Sequence, residues 1–216
     1  MVEPRSDLGL TGYPRPSVAV DSAVLTVPPG GPLSVVLTHD PSGDWRLPGT
    51  FLHEGERLAD AVARSLRAKT GLTGIEPRQL EVFDDPQRDD RGWVLSVAHM
   101  VAVPHDTVRH VGLPGSPDAA VRPVATVGRL SFDHNAILDM AVDRVAREYR
   151  RRPDPFGMLG HAFTLRELQQ LHEAVTGKKW HRDAFRRLMQ DQLRPTGEQS
   201  SGSVGRPAAS FTTTEK

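Results

Sequence analysis

The chain has no cysteine among its 216 residues. That absence excludes disulfide bridges, thiolate zinc sites and cysteine nucleophiles. No apolar run is long enough to span a bilayer. The first residues lack the basic-then-apolar pattern of a secretion signal, so a cytoplasmic protein is the expectation. An excess charge of one sign is missing too, because 27 Lys+Arg balance 27 Asp+Glu. The balance hides an asymmetry. Residues 1–156 carry 18 basic and 21 acidic side chains, and residues 157–216 carry 9 and 6. A shift from net −3 to net +3 fits a chain whose second half meets a polyanion; a solvated helical surface gives the same count. No histidine and carboxylate constellation has the spacing of a metal site, and His172 and His181 read as core or surface residues.

What is present reads as an α/β pattern followed by helices. Residues 1–15 are polar and aperiodic, with Pro4, Gly9, Gly12 and Pro14, and read as a flexible arm. Val18 to Val27 is a β-branched strand, and Leu33 to Thr38 a second one across the turn Pro28-Pro29-Gly30-Gly31-Pro32. Arg57 to Thr70 has helical spacing, with Leu58, Ala61, Val62, Ser65 and Leu66 on one face and Gly71 as its stop. Gln79–Phe83 and Trp93–Val103 read as strands, and Ala119–Val127 as an edge strand. Ile137 to Arg150 is a second helix, ended before Pro153. Strands, helix, strands, helix predict an α/β sandwich over residues 16–152. The texture changes near residues 152–160, and residues 157–216 form the second domain.

The segment Gly49-Thr50-Phe51-Leu52-His53-Glu54-Gly55-Glu56 leads into Arg64-Ser65-Leu66-Arg67-Ala68-Lys69-Thr70-Gly71-Leu72. Its frame is that of a Nudix box, G-x5-E-x7-R-E-U-x-E-E-x-G-U with U aliphatic. Registered on Glu56, the positions Arg64, Leu66, Gly71 and Leu72 match. The chemistry departs: Thr50 holds the first glycine position, with Gly49 beside it, and Ser65, Ala68 and Lys69 replace three glutamates. A working box clusters carboxylates because Mg²⁺ takes oxygen ligands at short range. Here Lys69 sets a positive charge where the ion belongs, and like charges at ~4 Å repel by several kcal/mol at an effective dielectric of about 20. The expectation is no metal and no catalytic residue. Arg64, Arg67 and Lys69 form a basic face that neutralises a diphosphate directly. In Asp84 to Gly92, Arg88 and Arg91 flank two acids and offer a second phosphate or ribose grip; a solvated turn fits the same spacing.

In the second half, Thr164-Leu165-Arg166-Glu167 is a capping box. Leu165, Leu168, Leu171, His172 and Val175 follow on one helical face, and Gly177 closes the helix. A turn through Lys178-Lys179-Trp180 leads to a second helix, His181 to Leu193, with Phe185, Leu188, Met189 and Gln192 inward. Arg182, Arg186 and Arg187 join the two lysines in a basic surface, Arg182 and Arg186 sharing a face. Two helices about a tight turn, the second basic, predict a helix-turn-helix with Arg194 to Thr214 folding back as a wing. A small helical docking domain for a protein partner remains the alternative.

Together these segments resemble the NrtR family of Nudix-related transcriptional regulators over residues 14–210. The likeness rests on Tyr13 to Val18, Trp45-Arg46-Leu47-Pro48-Gly49, the box, Arg88 to Gly92, Ser131-Phe132-Asp133-His134, Phe163 to Gln169, Phe185-Arg186-Arg187 and Gly205 to Ala208. The resemblance implies a Nudix-like α/β/α sandwich that binds ADP-ribose or a related nucleotide, with a C-terminal winged helix-turn-helix. It implies a homodimer on a palindromic operator in double-stranded DNA, repressing NAD metabolism genes, with no required cofactor. Carried onto this chain, the effector-binding candidates are Arg46, Glu56, Arg64, Arg67, Lys69, Arg88 and Arg91. The DNA-binding candidates are Thr164, Lys178, Lys179, His181, Arg182, Arg186, Arg187 and Arg206. The alternative is a Mg²⁺-dependent hydrolase of a nucleoside diphosphate derivative that keeps Glu56 and uses other catalytic groups.

Overall fold

The computed structural model describes residue 9 and residues 12–115, 117–199 and 208–214. Much of the expected arm, and Arg206 in the expected wing, lie outside the described residues.

Strand β1 (Ser17–Thr26) is rich in valine and alanine and lies at the centre of a seven-stranded sheet. One edge runs parallel to β6 (Val94–Ala102), from Ser17 opposite Val94 to Leu25 opposite Ala102. The other edge is divided between two antiparallel partners. The strand β2 (Ser34–His39) takes Leu25 and Thr26, and β4 (Gly49–Phe51) takes Ala19 to Asp21. Beyond them, β3 (Trp45–Arg46) and β7 (Ala119–Pro123) pair with β2, and β5 (Arg78–Phe83) pairs with β6. The expected edge strand stops at Pro123, where Val124–Thr126 turns into a 3-10 helix. A proline ring has no N–H to extend a ladder.

Successive side chains on a strand point to opposite faces. Val20, Val24 and Val36 therefore meet Ala61, Val62 and Leu66 of α1 (Leu58–Thr70) on one side. Ala23, Leu25, Val35, Leu37, Ala98 and Met100 meet Ile137, Leu138, Ala141 and Val145 of α3 (His134–Tyr149) on the other. The short α2 (His105–Val108) seals the α1 side through Val108. Gly71 stops α1 at φ 73, a left-handed conformation that costs glycine least. The helix expected from Ile137 begins three residues earlier, at His134.

The second half pairs a short strand, β8 (Phe163–Thr164), and a two-stranded wing, β9 (Leu193–Gln199) and β10 (Ala209–Thr213), in the order β8-β10-β9. Its helices are α4 (Leu165–Thr176) and α5 (Arg182–Met189). The second helix is shorter than expected, because Gln190–Gln192 tightens into a 3-10 turn and Leu193 enters the wing. Phe185 and Met189 are buried, but Leu188 is 45 % exposed and faces away from the core.

Helix α4 carries one apolar stripe that serves two cores. Leu168 packs with Phe163, Phe185, Met189 and Leu193 in the winged-helix core. Leu171 and Val175 join the core beneath α3, together with Met158. Buried His172 lies between the two groups. The α4 start shows the expected capping box: Thr164 Oγ1 accepts from Glu167 N at 3.2 Å, and Glu167 Oε2 accepts from Thr164 N at 2.7 Å. Thr164→Ala is expected to lower stability by about 1 kcal/mol, read as a shift of the urea midpoint at unchanged slope.

Candidate functional site

The strand fork brings a buried carboxylate, Asp21, against the Gly49 turn and the start of α3. Asp21 lies on the sheet face of Ala23 and Leu25, so it points to the α3 side. Ser96 Oγ donates to its Oδ2 at 2.6 Å, Arg88 reaches the same oxygen at 3.5 Å, and His134 Nε2 stands 3.3 Å from Oδ1. Leu47 N donates to His134 Nδ1 at 3.0 Å, so the ring keeps its hydrogen on Nε2, aimed at Asp21. Burial pushes the Asp21 carboxyl up, but His134, Ser96 and Arg88 outweigh it and hold the group at about 2. Arg88 also clasps Asp133, the residue before α3, at 2.6 and 2.9 Å.

Beside this network lies a cavity of about 190 Å³. Its cations are Arg46, Lys69, Arg88 and Arg91; its other walls include Thr50, Phe51, Asp89 and Phe132. Lys69 is half-buried and donates to the Gly49 carbonyl. Burial first, then the neighbouring Arg46 charge, lowers its ammonium to about 8. Arg46 Nε is buried and has no hydrogen-bond partner among the described residues. Arg91 sits over two rings, 5.2 Å from the Phe51 centroid and 4.8 Å from that of Phe132, and pairs with Asp89 at 2.6 Å. Phe132 has φ 58, a strained conformation for a bulky residue.

The sequence-derived basic face is therefore divided. Positions 64, 67 and 69 are spaced three and two apart, and only Lys69 reaches the cavity. Arg64 braces the box loop: it donates to Glu56 Oε1 at 2.8 Å and Oε2 at 2.7 Å, to Thr50 Oγ1 at 3.2 Å and to the Phe51 carbonyl at 2.9 Å. The Arg64 hydrogen bonds hold Glu56 at about 2. Arg67 is exposed on another side of α1. In the Asp84–Gly92 loop, Arg88 is turned inward as a buried tie and Arg91 alone stands at the cavity mouth. Sequence reasoning missed Asp21, Phe132 and His134. Asp21 is an isolated acid inside a β-branched run, and that was the available signal.

A Nudix-type Mg²⁺ does not fit these groups. Both Glu56 oxygens are held by Arg64, and Asp21 is held by three donors. The Lys69 ammonium occupies the cavity wall where a further carboxylate would be needed. Among the described residues, no three His, Asp or Glu side chains converge in a metal-binding group.

The second candidate surface is on α5. Arg182, Arg186 and Arg187 are exposed along it, with His181 at its N-cap. Lys179 pairs with Glu173 at 2.9 Å, and Lys178 lies 3.8 Å from the Trp180 ring centroid. Both lysines are exposed and fix the inter-helix turn. Thr164, in contrast, is engaged as the α4 cap. No helix among the described residues is long and apolar enough to cross a membrane.

A sandwich with a Nudix-box loop, followed by a winged helix with a basic second helix, defines a regulator architecture: a ligand-binding fold joined to a DNA-binding one. Family models agree. The NUDIX domain model matches residues 17–136, and the NrtR DNA-binding winged helix domain model matches residues 155–212. Shewanella oneidensis NrtR, crystallised with a 27mer DNA, is 30% identical, with a TM-score of 0.77 over 91% of this chain and 93% of that one. The NUDIX domain of the same protein, crystallised with ADP ribose, is 26% identical, with a TM-score of 0.54 over 64% of this chain and 94% of that one. The ADPR responsive transcriptional repressor NtrR of Acinetobacter baylyi is 28% identical over 184 residues, 82% of this chain and 73% of that protein. The chain belongs to the NrtR family of Nudix-related transcriptional regulators.

Two outcomes follow from the Asp21 network. A Cβ at Gly49 would overlap Asp21 Oδ1 and press on the Val20 carbonyl at 2.9 Å, so Gly49→Ala is expected to lower the melting temperature and disorder the cavity. Asp21→Asn is expected to cost about 3 kcal/mol, the low end for a broken buried pair because Asp133 still holds Arg88. The sign in acid is fixed by a folded pKa of about 2 below the ordinary 3.8. The Asp21 contribution is complete above the higher value and is lost as pH falls through the lower one. Urea titrations between these limits should show a shallower acid slope in Asp21→Asn than in the wild type.

Proposed function

We propose that this protein is a DNA-binding transcriptional repressor of NAD metabolism genes, responsive to ADP-ribose or a closely related nucleotide. In this reading residues 16–152 bind the effector and residues 157–216 bind DNA. A homodimer places two α5 helices on the half-sites of a palindromic operator, in the cytoplasm.

The observation that carries the reading is the charge balance of the cavity. The Glu56, Asp21, Asp89 and Asp133 carboxylates are each held by arginine or by several donors. Among the described residues, Lys69 donates to a carbonyl and not to a carboxylate, and buried Arg46 Nε has no hydrogen-bond partner. The balance of these groups is positive, and a diphosphate supplies negative charge to it. A volume of about 190 Å³ is below that of pockets for drug-sized ligands. A dinucleotide-sized effector enters once Arg91 and its two rings swing aside. The ADPR-responsive Acinetobacter relative and the ADP ribose complex of the Shewanella NUDIX domain agree with this chemistry. With its carboxylates saturated, the site holds a diphosphate without activating water to cleave it, and no enzymatic role is assigned.

A gel shift on the protein's own upstream region, with and without ADP-ribose, tests the reading. A retarded band that changes with ADP-ribose supports it; no retardation of any palindromic fragment at low salt overturns it. Turnover of ADP-ribose or nucleotide sugars with Mg²⁺, abolished in Glu56→Gln, would restore the hydrolase alternative. ADP-ribose affinity by calorimetry is expected to be the same in EDTA and in Mg²⁺. Lys69→Met should weaken it at least about tenfold, the worth of one charged hydrogen bond. Wild-type affinity should fall as pH rises through about 8, where the Lys69 ammonium gives up its proton.

A further inference from the structure

Helix α3 runs from the cavity to α4, which packs in turn against α5. Helix α3 runs 16 residues, roughly 24 Å at 1.5 Å per residue. Its start is fixed to the cavity: Phe132 lines it, Asp133 is clasped by Arg88, and His134 holds Asp21. Its middle is packed against the sheet through Ile137, Ala141 and Val145.

The far end reaches the second domain by a chain of ring and polar contacts. Tyr149 is fully buried and its hydroxyl donates to Asp154 Oδ1 at 2.6 Å. The Asp154 carboxylate also accepts from Met158 N at 3.0 Å and Leu159 N at 2.9 Å, so it shapes the inter-domain turn. The Tyr149 ring meets His172 of α4 edge-on, with centroids 5.1 Å apart at 86°. His172 meets Phe185 of α5 at 5.1 Å and 75°. Its Nε2 is 2.6 Å from the Pro153 carbonyl and donates to it. The inter-domain turn, α4 and α5 thus converge on two side chains. Leucines would bury comparable surface there. Only polar rings can fix both the turn carbonyl and the helix crossing.

We infer that Tyr149 and His172 are positioning residues: α3 reports the state of the cavity to them, and they set α5 accordingly. The direction of the inference rests on the proposed function, because it names how that ligand would act on DNA binding. The input is the strained Phe132 turn, which sits against Arg91 at the cavity mouth and opens directly into α3. A ligand that displaces Arg91 removes a contact from Phe132 and shifts the helix start. A helix packed along its length moves as a body, so the shift reaches Tyr149.

Hydrogen exchange of the full chain without ligand or DNA provides the test. Phe132→Gly relieves the strain and removes the ring at the cavity without removing a hydrogen-bonding side chain. It is expected to change exchange in α5 at least about threefold relative to the β6 core strand. In a Tyr149→Phe or His172→Phe background the same change should disappear, although both keep their rings and their packing. His134→Gln is the second cavity-side variant and should behave alike. Unchanged α5 exchange in folded Phe132→Gly and His134→Gln overturns the coupling, as does an α5 response that survives in both junction variants. Adding ADP-ribose to the wild type separates the two ideas. An α5 response to the cavity variants without a response to ADP-ribose leaves the coupling intact and rejects the effector.

Discussion

The structure depends on keeping one carboxylate charged inside the sheet. Burying an ion costs several kcal/mol unless donors surround it. Asp21 therefore draws a hydroxyl from β6, a guanidinium from the loop after β5 and an imidazole from the start of α3. Each donor belongs to a different element, so satisfying the charge also fixes where those elements meet. Gly49 completes the arrangement by having no side chain where the carboxylate must pass. The cavity is the space left between them.

The same requirement explains why a box with the frame of a hydrolase has another chemistry. Its remaining glutamate is spent on Arg64, which anchors the loop from Thr50 to Glu56. Its inner lysine leans on the loop's first carbonyl. The loop is held by protein cations where the hydrolase frame expects a metal ion. The scaffold and the orientation of the loop survive, and the oxygen ligands that would collect a divalent ion do not.

Much of this was legible in sequence where the signal is local. The glycines at 71 and 177 mark left-handed helix ends, at φ 73 and 68, and the Thr164 to Glu167 spacing marks a capping box. Strands with β-branched runs were readable for the same reason. Strands β3 and β4 were not, because two or three residues show no alternation. The spacing of Arg88 and Arg91 gave two equivalent arginines. Which one turns inward is decided by Asp21 and Asp133, 67 and 45 residues away in the chain. The α4 stripe was visible as one face, but its division between two cores is a property of packing, not of period.

That division makes α4 a tenant of both domains. Removing the second half would leave the pocket for Leu171 and Val175 beneath α3 open to water. Removing the first would expose those two residues on the remaining helix. Neither half keeps its surface when cut from the other, so a loss of order in either domain uncovers apolar side chains that belong to the other.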